Sequence, residues 1–143
     1  MSLYVVDANV VAKWFVPESL SQEAVRLLDE RHELASPDLL WPELGNLLWK
    51  KARAGQLTGQ ETARIVQALD QFPLTVFPSR LVLEGALEIA LGTGRSVYDS
   101  VYVALAVALE CQLVTADERL VNALAGGPLA SHVLWVGEPG AFH

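Results

Sequence analysis

The apolar residues of this chain fall into five short runs, separated by longer stretches with helical spacing. The runs predict strands and lie at residues 3–6, 34–35, 74–77, 112–114 and 133–136. In the stretches between them, apolar positions recur every three to four residues, which predicts helices at residues 10–16, 22–31, 39–53, 60–71, 81–91, 98–110 and 118–124. Strands that alternate with helices are typical of a parallel sheet covered on both faces. We therefore predict an α/β fold, a three-layer sandwich whose central parallel sheet has four to five strands.

Local signals place two helix starts and one buried helix. Thr58 followed by Glu61 has the spacing of a capping box, and Ser19 with Gln22 is a similar start signal. The predicted helix at 98–110 is apolar on almost all sides. We expect that helix to be buried on most of its surface.

Composition restricts the class of protein. With 143 residues, 52% of them hydrophobic and 19% charged, the chain is long enough for an independent core, and we predict a single domain over residues 1–143. Its net charge of -7 argues against nucleic-acid binding by bulk electrostatic attraction, so a polyanion must be met locally, by metal ions or a small basic patch. The lone Cys111 cannot form an internal disulfide. We expect neither a targeting segment nor a membrane span, and the cytoplasm is the expected compartment.

Four of the seventeen acidic residues stand out because their surroundings are apolar. Asp7 and Asp117 follow the first and fourth predicted strands. Glu43 lies early in the helix at 39–53, and Asp99 opens the apolar helix. In a parallel sheet the strands end at one edge, and the helices that follow them begin there. The sequence therefore predicts that these side chains converge at the edge where open α/β sheets bind ligands.

Carboxylates gathered in one crevice repel each other. Two of them about 4 Å apart do so by roughly 4 kcal/mol at an effective dielectric constant of about 20, so protons or cations must offset the repulsion. Oxygen ligands without Cys or His favour Mg²⁺ or Mn²⁺ over structural zinc. Two such ions can lower the pKa of a bound water and stabilise the attacking and leaving oxygens of a phosphoryl displacement. This chemistry is typical of a nuclease.

The four acids also have a structural interpretation, as helix caps or as first-turn acids near a helix dipole. Ser96 would begin a cap that includes Asp99. Thr115 and Glu118 have the spacing of a capping box, which would leave Asp117 as an ordinary first-turn acid. We favour the shared site, because four independent caps need not lie at one edge of a sheet or lack basic partners.

Four stretches of sequence carry a family resemblance. They are VVDAN, PELGN, YDSVYVALA and LVTADERL, at residues 5–9, 42–46, 98–106 and 113–120. Together they resemble PIN-domain ribonucleases, and among these the VapC toxins of bacterial toxin–antitoxin pairs. The resemblance implies a parallel sheet and Mg²⁺- or Mn²⁺-dependent cleavage of RNA that leaves a 5′-phosphate. It also implies a homodimer and a small VapB-like antitoxin, whose C-terminal segment blocks the acidic pocket.

The resemblance also assigns roles to particular positions. The catalytic, metal-binding acids of the family fall on the same four residues that the sheet geometry selects, namely Asp7, Glu43, Asp99 and Asp117. Supporting polar groups fall on Asn9 and Thr115. Gly45 stands where the family more often has a bulkier residue, and close packing around it would explain the difference.

Three basic residues are candidates for contact with RNA phosphates. Lys50 shares a helical face with Glu43, Lys13 follows Asp7 by about a turn and a half of helix, and Arg95 lies just before the apolar helix. Lys50 equally fits a solvated helix end, where a basic side chain stabilises the helix dipole.

The leading hypothesis is a metal-dependent endoribonuclease that acts as the toxin of an antitoxin-controlled pair. One alternative keeps the fold and assigns structure-specific RNA or DNA processing outside a toxin pair. A phosphoacceptor receiver domain also places acids at the end of a parallel sheet. It needs a lysine late in the chain, however, whereas the lysines here are Lys13, Lys50 and Lys51. A binding module of the same fold without nuclease activity is the last alternative.

Overall fold

The computed structural model describes residues 2–141 of the chain, and in this part five strands alternate with seven helices. The strands are β1 (Ser2–Val6), β2 (His32–Pro37), β3 (Leu74–Phe77), β4 (Gln112–Thr115) and β5 (Val133–Trp135). The helices are α1 (Ala8–Lys13), α2 (Ser21–Val25), α3 (Leu40–Arg53), α4 (Gly59–Ala68), α5 (Leu83–Thr93), α6 (Val97–Ala108) and α7 (Glu118–Leu124). No helix in this part of the chain has the length and apolar character needed to cross a membrane.

All five strands run parallel, in the order β3-β2-β1-β4-β5. On one side of β1, Val5 lies opposite Ala35 of β2, and on the other side Val6 lies opposite Val114 of β4. The chain therefore builds the sheet outward from β1 in one direction and then returns to extend it in the other. The junction of β1 and β4 is the switch point, where α/β sheets leave a crevice at the ends of their strands.

Helices cover both faces of the sheet, so the predicted three-layer sandwich is confirmed. On one face Val6, Leu34 and Val114 pack against α1, α2, α3 and α4. On the other face Val5 and Leu113 pack against α5, α6 and α7. The side chains of the neighbouring residues Val5 and Val6 thus point into opposite cores, because successive side chains of a strand point to opposite faces of the sheet.

Helix α6 lies deepest in the second core. Every residue from 100 to 106 is buried, which confirms the prediction from its nearly uniform apolar surface. Because α6 is fixed along its length by this packing, the acidic residue in its first turn is held at a defined place at the sheet edge.

The predicted helix at 22–31 is wrong in its second half. Helix α2 ends at Val25 and continues only as a short 3-10 turn, Arg26–Leu28. Asp29 then adopts an extended conformation, and its Oδ1 accepts a hydrogen bond of 2.9 Å from the backbone N–H of Arg31. This local hydrogen bond competes with helix continuation, as is typical of aspartate.

Two other local predictions about this region and α3 are also wrong. Ser19 does not cap α2; Leu20 precedes the helix in a left-handed conformation (φ 68°), and Ser21 Oγ accepts the backbone N–H of Glu18 at 2.9 Å. Gly45 is not closely packed, because a Cβ built there would meet no atom within 4 Å.

The remaining start signal is confirmed, and one strand is longer than predicted. Thr58 and Glu61 form a complete capping box at α4. Strand β2 extends beyond its two apolar residues because Ser36 is buried in it, with its hydroxyl donating to the carbonyl oxygen of Val6 at 2.8 Å.

Candidate active site

A cavity of about 220 Å³ lies at the switch point, beyond the ends of β1 and β4. All four acids selected from the sequence line it, together with both supporting polar residues. The polar and charged lining consists of Asp7, Asn9, Glu43, Asn46, Lys50, Asp99, Tyr102, Thr115 and Asp117. The fold therefore brings together side chains that are more than one hundred residues apart in the sequence.

Asp7 is the most buried of these acids, with 8% of its surface exposed. It follows β1 directly and caps α1, since its Oδ1 accepts the backbone N–H of Val10 at 3.0 Å. Burial is the main cause that raises the pKa of Asp7 from 3.8 to about 6, and the negative charges of Glu43 and Asp117 raise it further. The hydrogen bonds that this carboxylate accepts act in the opposite direction.

Thr115 connects Asp7 with Asp117. Its hydroxyl donates to Oδ2 of Asp7 at 2.5 Å and accepts the backbone N–H of Asp117 at 3.0 Å. The side chain of Asp117 in turn caps α7 by accepting the backbone N–H groups of Arg119 and Leu120. A capping box that starts at Thr115 is therefore wrong, because the N-cap is Asp117, two residues later.

Glu43 is held by a partner that the sequence did not reveal. The hydroxyl of Tyr102, on α6, donates to Oε1 of Glu43, on α3, at 2.6 Å. Partial burial raises the pKa of Glu43, an effect that the Tyr102 hydrogen bond opposes and the charge of Asp99 reinforces. Burial and the neighbouring carboxylate both raise the pKa of Tyr102, so this phenol stays protonated and remains a donor.

Asp99 lies in the first turn of α6, where Ser96 Oγ accepts its backbone N–H at 3.1 Å. Its side chain pairs with a residue of the preceding loop. Nη2 of Arg95 lies 3.2 Å from Oδ2 of Asp99 and 4.0 Å from Oδ2 of Asp117. The cap that Ser96 begins at Asp99 is thus confirmed, whereas Asp117 is itself the N-cap of α7, and both acids also line the cavity.

The basic candidates are placed differently from one another. Lys50 lines the cavity, and Arg95 reaches two of its carboxylates from the edge. Lys13 is not part of the lining; its ammonium group lies 3.1 Å from Oε1 of Glu18, and its side chain is only 12% exposed. The position of Lys13 thus gives no support to a contact with phosphate.

The donor set of the cavity fits a hard divalent cation. Carboxylate oxygens, with an amide oxygen from Asn9, are the ligands that Mg²⁺ and Mn²⁺ prefer. As the side chains stand, no three acidic, histidine or cysteine residues among residues 2–141 are gathered closely enough to hold one ion. Asp7, Glu43 and Asp99 instead each accept a hydrogen bond from a neighbouring side chain. Binding of an ion would therefore require these carboxylates to move closer together than they stand here.

The family can be identified once the fold and this acidic cavity are known. The profile of the PIN domain family matches residues 4–125, so this chain belongs to that family. Within it, the chain is 40% identical over 120 residues to ribonuclease VapC3 of Pyrobaculum aerophilum, an alignment that covers 82% of this chain and 92% of the relative. Membership of the PIN family argues against the phosphoacceptor receiver domain.

Solved structures agree in fold. A protein from Pyrobaculum aerophilum superimposes with a TM-score of 0.67 at 26% identity, covering 94% of this chain and 84% of its own. VapBC2 from Rickettsia felis, solved with a DNA fragment from its promoter, superimposes with a TM-score of 0.64 at 12% identity. That match covers 93% of this chain and 98% of the other, and at such low identity it shows the common fold.

Proposed function

We propose that this chain is an endoribonuclease toxin of the VapC type that depends on Mg²⁺ or Mn²⁺. The observation that carries the proposal is the convergence of Asp7, Glu43, Asp99 and Asp117 on one cavity at the switch point of a PIN-domain fold. The 40% identity with a named VapC ribonuclease supports RNA as the substrate.

The four carboxylates would hold the metal ions, with Asn9 as a supporting ligand. When bound, Mg²⁺ or Mn²⁺ supplies Lewis-acid stabilisation of the phosphodiester oxygens and makes a water molecule more acidic. Asp7 must be ionised to act as a ligand. Since its pKa is raised to about 6 without metal, ligand formation is favoured at neutral and higher pH.

The neighbours of the acids keep their oxygens in place. Thr115 orients Asp7, and Tyr102 orients Glu43, each through one short hydrogen bond. Positively charged side chains at the cavity would bind the RNA backbone; Lys50 lines the cavity and Arg95 lies at its edge. A local basic contact of this kind suits a chain whose net charge is -7.

We further propose that a small VapB-like antitoxin inhibits the enzyme, that the enzyme is a homodimer, and that it acts in the cytoplasm. The similarity in fold to VapBC2 supports an antitoxin partner. Large apolar side chains outside the cavity offer surface for protein contacts. Trp49 on α3 is 53% exposed, and Leu91 on α5 is 83% exposed.

The test is cleavage of total RNA by purified protein in the presence of Mg²⁺ or Mn²⁺, with the 5′ ends mapped. We expect internal cuts that leave 5′-phosphates, loss of cleavage in EDTA, and loss of cleavage in Asp7→Asn and Asp99→Asn. Cleavage that persists in EDTA, or that both variants retain, would contradict the metal-dependent mechanism. Intact RNA in every reaction would favour a binding module without nuclease activity.

A growth experiment separates a toxin from a processing nuclease. We expect overproduction of the intact enzyme to arrest growth, and co-expression of a small reading frame next to its gene to restore it. Unchanged growth with active enzyme would favour a processing nuclease instead.

A further inference from the structure

Arg95 lies in a rigid connection at the edge of the acidic cavity. The loop between α5 and α6 turns at Gly94, which has a left-handed conformation (φ 78°). The backbone N–H of Arg95 donates to Thr93 Oγ1 at 3.2 Å, and the next residue, Ser96, caps α6. The backbone of Arg95 is therefore held by hydrogen bonds at the residues before and after it.

The guanidinium group of Arg95 is directed at the carboxylates. It lies 3.2 Å from Oδ2 of Asp99 and 4.0 Å from Oδ2 of Asp117, and the side chain is 28% exposed. Its Nε is buried and has no hydrogen-bond partner among the described residues. A buried donor without a partner is unfavourable, and the attraction of the two carboxylates offsets this cost where the side chain lies.

The charges at this edge of the sheet are unbalanced without metal. Within residues 2–141, the only ion pairs to the four cavity carboxylates are those of Arg95. The oxygens that face its guanidinium belong to two of the residues that would hold a divalent cation. A cation that binds these oxygens repels the guanidinium, so the two positive groups compete for one place.

We propose that Arg95 is a tethered cation that balances the charges of Asp99 and Asp117 from the edge of the cavity, and that its guanidinium would leave these carboxylates for an RNA phosphate when they hold a divalent cation. This inference rests on the proposed function. Displacement would free a bidentate donor at the cavity edge for an RNA phosphate. Arg95 therefore weakens metal binding on its own but strengthens RNA binding once metal is present.

The test is calorimetric titration of Mn²⁺ into metal-free wild-type protein, Arg95→Gln, Arg95→Lys and Asp99→Asn. We expect Arg95→Gln to bind Mn²⁺ about tenfold more tightly than wild type, equivalent to about 1.4 kcal/mol. Arg95→Lys keeps the charge, so its Kd stays close to that of wild type. Arg31→Gln is the matched control, because it removes an arginine from an exposed ion pair with Asp29 outside the cavity. Its Kd is expected to equal that of wild type.

The same variants are then compared in RNA cleavage at saturating Mn²⁺. We expect Arg95→Gln to raise KM for RNA several-fold with little change in kcat, while its Kd for Mn²⁺ falls. A merely structural residue would not move the two affinities in opposite directions. Circular dichroism checks that each variant is folded.

The outcomes separate this inference from the proposed function. Suppose that wild type binds Mn²⁺ and that Asp99→Asn weakens this binding. If Arg95→Gln then binds Mn²⁺ no more tightly than wild type, the inference about Arg95 is overturned, while the proposed metal site stands. If wild type shows no saturable Mn²⁺ binding, or Asp99→Asn binds as tightly as wild type, the proposed metal-dependent function fails and the inference fails with it.

Discussion

Replacing Asp7 with asparagine isolates the cost of burying a carboxylate where a cation would bind. Asp7 is 8% exposed, and its charge is opposed by burial and by the carboxylates of Glu43 and Asp117. Asparagine has nearly the same shape and keeps an oxygen that can accept the backbone N–H of Val10, so the cap of α1 is preserved. We expect Asp7→Asn to be inactive yet more stable than wild type in the absence of metal.

The magnitude follows from the pKa of Asp7, which is raised from 3.8 to about 6. The folded protein keeps this proton up to about pH 6, whereas the unfolded chain releases it near pH 3.8, so wild-type stability falls as pH rises between these values. Since one pKa unit equals about 1.4 kcal/mol, the ionised carboxyl costs about 3 kcal/mol above pH 6. Loss of the hydrogen bond from Thr115 offsets about 1 kcal/mol of the gain. The net stabilisation is therefore about 2 kcal/mol at pH 8; it falls to zero at about pH 4.5, and below that pH Asp7→Asn is expected to be less stable than wild type.

Urea unfolding in EDTA, followed by circular dichroism at pH 4.5, 6.5 and 8, measures this difference. In thermal unfolding, 2 kcal/mol corresponds to an increase in Tm of roughly 4–8 °C for a chain of this length. Asp70→Asn is the matched control, because Asp70 is exposed and lies outside the cavity. If Asp7→Asn is less stable than wild type at pH 8, or if the difference between them does not change with pH, the account of Asp7 is wrong.

Three further substitutions test other contacts. Tyr102→Phe removes the 2.6 Å hydrogen bond to Glu43. Because a hydrogen bond to a charged group contributes about 1.5–3 kcal/mol, we expect initial cleavage rates to fall about tenfold or more. An unchanged rate would show that Glu43 does not need this donor. Thr58→Ala removes the cap of α4 and is expected to lower the free energy of unfolding by about 1 kcal/mol in urea titrations without affecting cleavage. Gly137→Ala would place a Cβ 2.6 Å from the ring of Trp135, and we expect a loss of about 1–3 kcal/mol in the same titrations; wild-type stability would refute this close packing.

The positions of the four acids were predictable because they depend on topology alone. Asp7 and Asp117 follow strands, and any parallel sheet brings strand ends to one edge. The partners of these acids were not predictable. Tyr102 lies in a stretch that is apolar on nearly all sides, so its sequence context indicates core packing. Only the fold, which places α3 and α6 on opposite faces of the sheet and brings these two side chains together at its edge, shows that the hydroxyl of Tyr102 meets Glu43, which is 59 residues away.

The errors arose where short-range chemistry competes with periodic patterns. The spacing at 22–31 fits a helix, but Asp29 forms a turn with Arg31 instead. The ion pair of Lys13 was not predictable either, because Lys13 follows Asp7 at helical spacing but is bound by Glu18, a contact that depends on the path of the loop after α1. The spacing of apolar residues carries no information about these local partners.

The pairing of β1 with β4 has a consequence for protein synthesis. Asp7 is made before its hydroxyl partner Thr115, which lies 108 residues later in the sequence. Until the ribosome has released that later segment and it has joined the sheet, Thr115 and Asp117 cannot complete the acidic cavity. A chain that ends before β4 lacks both Thr115 and Asp117, so on the proposed mechanism we expect it to be inactive as a nuclease.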